Sequence, residues 1–368
     1  GQIASKAVGI DIPRELTLKK KKDYKLIGTS KKNVEGSKIV TGKPLFGLDF
    51  KYEGMLVAAI EHPPAFGMKV KSFNKEEIKR MKGVDDAFIV DSTLPKKQWN
   101  STNAFPQIIA ILGKTTWQVM NAKKMLRVTW DNVGELETSE MHEQRLIKDI
   151  ETGKVDSMRK DGDPDAAFAR AEKVIERTYT SPFMPHNPME PMNFFAHVKD
   201  NSAELIGPTQ TPKAMQEAVS SMLNIPQENI SIKMTRMGGG FGRRLYTHFG
   251  LEAAAISKKV GAPVKMVYTR EDDMTQGTYR PAYRSVYKAG LDKNNNLIAF
   301  TVKGVGLPSG PVFPDRFPAG TVDNYMAESK RSYTNISTGA WTAPRSHFTA
   351  GAEQSFIDEV AEAAEKDP

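Results

Sequence analysis

The residues with the clearest chemical content are Gly238, Gly239, Gly240, Phe241 and Gly242, followed by Arg243 and Arg244. Four glycines in five positions permit backbone conformations and close approaches that a Cβ would block. Just upstream, Ile230, Ile232 and Met234 alternate with Ser231, Lys233 and Thr235, the pattern of a half-buried strand. Downstream, Leu245, Phe249, Ala253, Ile256 and Val260 recur at helical spacing until Gly261 stops the run. The glycines therefore sit at a strand-to-helix turn. Bare N–H groups near a helix start, with two arginines beside them, form a natural seat for an anion. No Gly-Lys-Ser/Thr follows, which excludes a P-loop. Counting G-x-G-x-x-G from Gly238 puts Arg243 where the last glycine belongs, which excludes a dinucleotide fingerprint. A tight turn without a ligand fits the same pattern.

Other chemistry is sparse. The chain has no cysteine, so it holds no disulfide, thiolate zinc site, cysteine nucleophile or iron–sulfur cluster of its own. Six histidines are scattered: His62, His142, His186, His197, His248 and His347. Glu140, Met141 and His142 resemble a metal cluster less than they do a solvated helix face. Pro185, Pro188 and Pro191 keep residues 184–192 out of a helix, so His186 and Glu190 are not an i, i+4 metal pair. A loop crowded with prolines has a fixed shape, which suits the wall of a site. The best candidate site joins three loops: the glycine turn, the proline loop 181–195, and residues 339–350 with Arg345. A bulky polyanionic cofactor suits it.

The elements that must position these loops are readable in outline. With 368 residues, 39% hydrophobic and 8% aromatic content, the chain has enough material for two or three globular domains. Residues 1–24 read as a peripheral lead-in. Its Lys19, Lys20, Lys21 and Lys22 carry part of the net charge of +8. A terminal lysine cluster is a solvated face in the first instance, and nucleic acid is not the expected partner. Residues 25–130 form an α/β unit whose run 55–60 (MLVAAI) is a buried strand; Asn74 and Glu77 have capping-box spacing. Residues 131–170 are charged and read as a linker with one or two exposed helices. From 171, a strand leads into the proline loop. Thr211 and Pro212 then open a helix striped by Met215, Ala218, Val219, Met222 and Leu223. A hairpin turns at DKNNN, residues 306–340 read as long loops, and the last helix carries Phe356, Ile357 and Val360 with no element left to support. No apolar run reaches the ~20 residues of a membrane span.

Taken together, RMGGGFG after an alternating strand, then a helix, then PVKMVYTREDDM, resembles the large subunits of the xanthine dehydrogenase/aldehyde oxidase family. MPHNPMEPMN, KLIGTSKKNVEGSKIVTGKPLFGLDF and EHPPAFG are most similar to its isoquinoline 1-oxidoreductase β-subunit branch. The resemblance implies an α+β chain: an α/β hammerhead domain over 25–130, then, over 171–368, the first part of a molybdopterin-binding domain. It implies a molybdenum–molybdopterin cofactor, in a dinucleotide form, near Gly239, Gly240, Phe241, Gly242 and Arg243, with no side chain ligating the metal directly. Met184, His186, Leu245 and Arg345 become candidates for the substrate pocket. The implied reaction is hydroxylation of an N-heteroaromatic or aldehyde substrate with water-derived oxygen, electrons passing to an iron–sulfur small subunit. The family's general-base glutamate lies in a Gly-Glu motif beyond the end of this sequence. The chain is thus expected to be a fragment, inactive and cofactor-free without its C-terminal remainder. The family's lysine–glutamate pair becomes Arg244 and Leu245, which points away from xanthine. A periplasmic location follows from the resemblance, otherwise a cytoplasmic one. A non-catalytic scaffold of the same fold and a phosphate-binding protein remain the alternatives.

Overall fold

In the computed structural model the apolar run 55–60 becomes the first strand of an α+β chain. The structure describes residues 3–11, 14–92, 94, 102, 107–152, 154–275, 277–344 and 349–368. The strands, in chain order, are β1 (Leu56–Glu61), β2 (Met68–Phe73), β3 (Val84–Asp91), β4 (Gln107–Gly113), β5 (Val128–Asn132), β6 (Asp156–Asp161) and β7 (Lys173–Ser181). They continue with β8 (Asn193–Lys199), β9 (Ser202–Gly207), β10 (Ile230–Met234), β11 (Val264–Val267), β12 (Ala282–Leu291), β13 (Leu297–Leu307) and β14 (Tyr325–Arg331). The chain divides into two units, Gly1–Pro44 and Leu45–Pro368. The first holds two short helices, Ala4–Ala7 and Gly36–Val40, neither with a buried residue.

Within the second unit, a seven-stranded sheet runs β10-β9-β8-β11-β1-β4-β3. Each face is apolar, because alternate residues of each strand point to opposite sides. Ala58 and Ile60 of β1 join Phe194, Leu205, Met215, Val219, Phe249 and Ile256 on one side, under the helices Pro212–Leu223 and His248–Val260. Val57 and Ala59 join Ile78, Ile111, Val119 and Ala122 on the other. Burying a ring such as Phe249, fully out of solvent, contributes ~1.5–3 kcal/mol. Strands from residues 25–130 and from 171 onward share this sheet, and the unit break falls after Pro44.

A five-stranded sheet, β6-β14-β13-β12-β7, contains the hairpin expected around DKNNN as β12 and β13. Three expectations need correction here. Residues 131–170 are more than a linker: the helix Ser139–Thr152 buries His142, Leu146 and Ile150 at four-residue spacing, so His142 faces inward. β6 (DSMRKD) shows no apolar alternation because it is an edge strand, joined to β14 through its backbone. The 306–340 region contains β14, parallel to β13, whose inward residues Tyr325 and Ala327 alternate with the charges of YMAESKR. The last helix, Ala350–Ala363, does have an element to pack on: Phe356 lies 5.4 Å from the Tyr287 ring and 5.6 Å from Phe300 on this sheet.

Candidate cofactor and substrate site

The glycine turn begins where β10 leaves β9. Thr235 N–H still donates to Gly207 O at 3.3 Å, and Arg236 N–H to Leu45 O at 3.0 Å. Beyond that the turn is held by side chains. Gly238 N–H donates to Glu190 Oε2 at 2.8 Å, and Gly242 N–H to Gln210 Oε1 at 3.2 Å. Arg243 N–H closes back on Gly240 O at 2.7 Å. The N–H groups of Gly239, Gly240 and Phe241 are left without a hydrogen-bond partner among the described residues. Phe241 has φ +53, a conformation costing a non-glycine residue ~1–3 kcal/mol, and Thr342 N–H fixes it by donating to Phe241 O at 2.7 Å. Phe241 is 52% exposed. At Gly242, φ is +101 and an added Cβ would lie 2.0 Å from Ala340 O, so only glycine fits.

Glu190 is the hub that fastens this turn to the proline loop. Its Oε1 accepts from Leu48 N–H at 3.1 Å and Asn193 Nδ2 at 3.0 Å. Arg244 Nη2 lies 3.4 Å from Oε2, donates to Glu190 O at 2.7 Å, and its Nε donates to Gly239 O at 2.8 Å. Burial lowers the pKa of Arg244 to about 10, opposed by Glu190, so the guanidinium stays charged. Arg243, 1% exposed, turns inward as well: Nε lies 3.8 Å from Asp273 Oδ1 and Nη1 donates to His248 Nε2 at 2.9 Å. Burial raises the Asp273 pKa, and Arg243 and Arg270 oppose that rise. Arg270 also donates to the carbonyls of Pro188 and Met189, both at 2.8 Å. Within the acidic segment EDDM, Asp273 Oδ2 accepts from Arg270 Nη1 at 3.2 Å.

The two arginines expected to build an anion seat thus build the platform underneath it. Their side chains are consumed by carboxylates and carbonyls inside the fold, and the surface of the turn offers backbone donors only. Helical structure also starts later than the leucine spacing implies: residues Arg243–Leu245 form a 3-10 turn and the α-helix begins at His248. Leu245 is half-buried there, with its carbonyl taken by Thr211 Oγ1 at 2.8 Å.

The third loop closes on the other two. His186, buried, donates from Nε2 to Ala340 O at 2.7 Å, and Ala340 N–H donates to Tyr246 Oη, also at 2.7 Å. Burial, with Arg243 nearby, pushes the His186 pKa down to about 4, so the ring is neutral. Met184 exchanges backbone hydrogen bonds with Arg280. Arg345 and His347 lie outside the described residues. Sequence reasoning missed Glu190, Gln210 and Asp273; the only signal was Glu190's place between Pro188 and Pro191. A separate buried group lies between strand ends of the sheet and the helix His248–Val260: His62 Nε2 sits 2.9 Å from Glu252 Oε1, and Tyr268 Oη donates to Glu252 Oε2 at 2.6 Å. Among the described residues no three His, Cys, Asp or Glu side chains gather as a metal site.

With this geometry in view, comparison with known proteins is decisive. The sequence model of the molybdopterin cofactor-binding domain matches residues 146–368. The chain belongs to this molybdopterin cofactor-binding family. That agrees with its likeness to xanthine dehydrogenase/aldehyde oxidase proteins, and its relatives are oxidoreductases. It is 27% identical to the "Membrane-bound aldehyde dehydrogenase [pyrroloquinoline-quinone]" of Gluconacetobacter polyoxogenes, over 96% of this chain and 48% of that protein. It is 26% identical to the isoquinoline 1-oxidoreductase subunit beta of Brevundimonas diminuta, over 77% of this chain and 36% of the relative. It is 24% identical to the nicotinate dehydrogenase large molybdopterin subunit of Eubacterium barkeri, over 85% and 80%. The chain thus spans about half or less of the first two relatives' length and most of the third's. In fold it is similar to quinoline 2-oxidoreductase from Pseudomonas putida 86, with a TM-score of 0.69 at 18% identity, over 93% of this chain and 49% of that one. No helix among the described residues is long and apolar enough to cross a membrane.

Proposed function

We propose that this molybdopterin-family chain is the part of a molybdenum hydroxylase that presents the Gly239–Gly240–Phe241 backbone to the cofactor. The observation that carries the reading is the turn itself: three adjacent N–H groups without partners among the described residues, on a loop clamped from below by Glu190 and Arg244 and from the side by Ala340 and Thr342. A cradle of fixed backbone donors, glycine at two of its three positions, fits the oxygen-rich face of such a group. When bound, the molybdenum cofactor would supply two-electron oxidation of an electrophilic carbon with oxygen derived from water.

The protein's own contribution is positional. The free N–H groups orient an acceptor of the cofactor, and their rigidity means no reorganisation is needed at the moment of reaction. Phe241, half exposed, offers an apolar wall beside these donors, and the exposed Met189 of the proline loop is proposed to extend it, which favours a flat aromatic or aldehyde substrate. Met184, His186 and Leu245 are proposed as residues that shape this pocket, His186 through its 2.7 Å bond to Ala340 O. Arg345 is proposed for the same pocket by resemblance. The general base and the rest of the cofactor's dinucleotide contacts would come from further polypeptide, with an iron–sulfur subunit receiving the electrons. The resemblance also supports a periplasmic enzyme. The phosphate-binding alternative loses ground because Arg243 and Arg244 are turned inward.

The test is turnover in oxygen-18 water by the assembled enzyme, with N-heteroaromatic and aldehyde substrates. The label is expected in the hydroxylated product. A product that carries only unlabelled oxygen, or an assembled enzyme that oxidises neither class, removes the hydroxylase reading.

A further inference from the structure

A cavity of about 360 Å³ opens between the helix Ser139–Thr152 and the adjoining ends of β7 and β12. Its walls include Leu146, Phe183 and Ala282 on the apolar side and Ser139, Ser181 and Arg284 on the polar side. No residue of the glycine turn lines it. Pockets of this size accept small organic ligands.

Arg284 is the unusual member. On β12 it shares a face with Ala282 and Val286, which pack with Leu146, Ile150, Val305 and Phe183 beneath the helix. The side chain is half-buried, its Nε is shielded from solvent without a hydrogen-bond partner, and its guanidinium enters no ion pair among the described residues. The buried or half-buried carboxylates of this helix and of its N-terminal flank are matched. Asp149 meets Lys330 at 2.7 Å, and Glu137 meets Arg145 at 2.7 Å and His142 at 3.0 Å. A half-buried guanidinium without a counter-ion is a ready partner for an anion. The N-terminal end of the helix, at Ser139, adds to the positive field. The exposed carboxylate of Glu143 stands at the rim and disfavours a ligand of high negative charge.

We infer that this cavity binds a small organic monocarboxylate. Its carboxylate pairs with Arg284, with help from the Ser139 and Ser181 hydroxyls, and its apolar body lies against Phe183, Leu146 and Ala282. Planar, two-pronged recognition of a carboxylate is what a guanidinium does best. The inference does not depend on the molybdenum reading.

The experiment is isothermal titration calorimetry on the assembled protein, using benzoate, its neutral isostere benzamide, and inorganic phosphate as probes. Benzoate is expected to bind saturably, at least tenfold more tightly than either of the others. Arg284→Gln should weaken benzoate at least tenfold, whereas Arg284→Lys should retain part of the binding. Equal affinity for benzoate and benzamide, no benzoate binding, or benzoate binding unchanged in Arg284→Gln overturns the inference. Phosphate binding as tight as benzoate would show a bare anion site and overturn it too. If Arg284→Gln does not fold, the benzoate-to-benzamide ratio of the unaltered protein decides.

Discussion

Replacing Glu190 by glutamine changes one oxygen to an amide nitrogen and should loosen the whole glycine turn. The carboxylate accepts on both sides: from Leu48 N–H and Asn193 Nδ2 through Oε1, and from Gly238 N–H through Oε2, with Arg244 Nη2 beyond at 3.4 Å. An amide keeps an acceptor on one side only. If its oxygen faces Leu48 and Asn193, its NH2 meets the Gly238 N–H and the Arg244 guanidinium, donor against donor. If it flips, the other two contacts fail. In either case Arg244, 0% exposed, loses its nearest counter-charge. Removing one partner of a buried ion pair costs ~3–5 kcal/mol. Arg244 keeps its bonds to Gly239 O and Glu190 O, which the exchange leaves intact, so the lower end, ~3 kcal/mol, is the better figure. At ~2–4 °C per kcal/mol for a domain of this size, Tm should fall by ~6–12 °C. Scanning calorimetry reads that fall, and hydrogen exchange should show the Gly238 amide losing protection. A Tm within ~2 °C of the unaltered protein, with Gly238 still protected, would refute the role assigned to Glu190.

Other outcomes follow from the same geometry. His186 has a folded-state pKa of about 4, below its usual value near 6.5, so its contribution to stability is whole above pH 6.5 and is lost as pH falls towards 4. The loss approaches ~1.4 kcal/mol per pH unit, ~3 kcal/mol in all; His186→Asn should flatten Tm against pH across that window, and an unchanged slope counts against the burial argument. Gly242→Ala, which brings a Cβ onto Ala340 O at positive φ, should destabilise by more than the ~1–3 kcal/mol of backbone strain alone. Gly351→Ala, in open space within the helix Ala350–Ala363, should instead stabilise by up to ~1 kcal/mol, and urea midpoints of the two variants compare them directly. Tyr268→Phe strips the buried Glu252 Oε2 of its 2.6 Å bond and should cost ~1–3 kcal/mol; a Tm equal to that of the unaltered protein would mean the bond is not formed.

What the sequence made legible was whatever depends on local pattern. The buried run of β1, the helix opened by Thr211 and Pro212, the DKNNN hairpin and the strand before the glycines all follow from alternation, helical spacing and turn residues. What it hid depends on partners far away in the chain. β6 carries no apolar signal because an edge strand is held by its neighbour's backbone. Asn74 and Glu77 have capping-box spacing, yet Asn74 makes no cap: its Oδ1 accepts from Arg127 N–H at 2.8 Å, and a contact 53 residues away outcompetes the local one. The convergence of three loops was readable from their glycines and prolines. The direction of Arg243 and Arg244 was not, because two adjacent arginines look alike whether they face solvent or a buried Glu190 and Asp273. Spacing alone gives no hint of a carboxylate 54 residues earlier.

The most direct measurement is the molybdenum and pterin content of the protein purified from its own source, together with whatever polypeptides accompany it. Metal analysis gives the first, and fluorescence of the oxidised pterin released on denaturation gives the second. Molybdenum and pterin in equal amounts, both depleted in the Glu190→Gln protein, is the expected result. A folded, intact assembly that contains neither contradicts the assignment of the glycine turn as a cofactor cradle and leaves the fold as a scaffold.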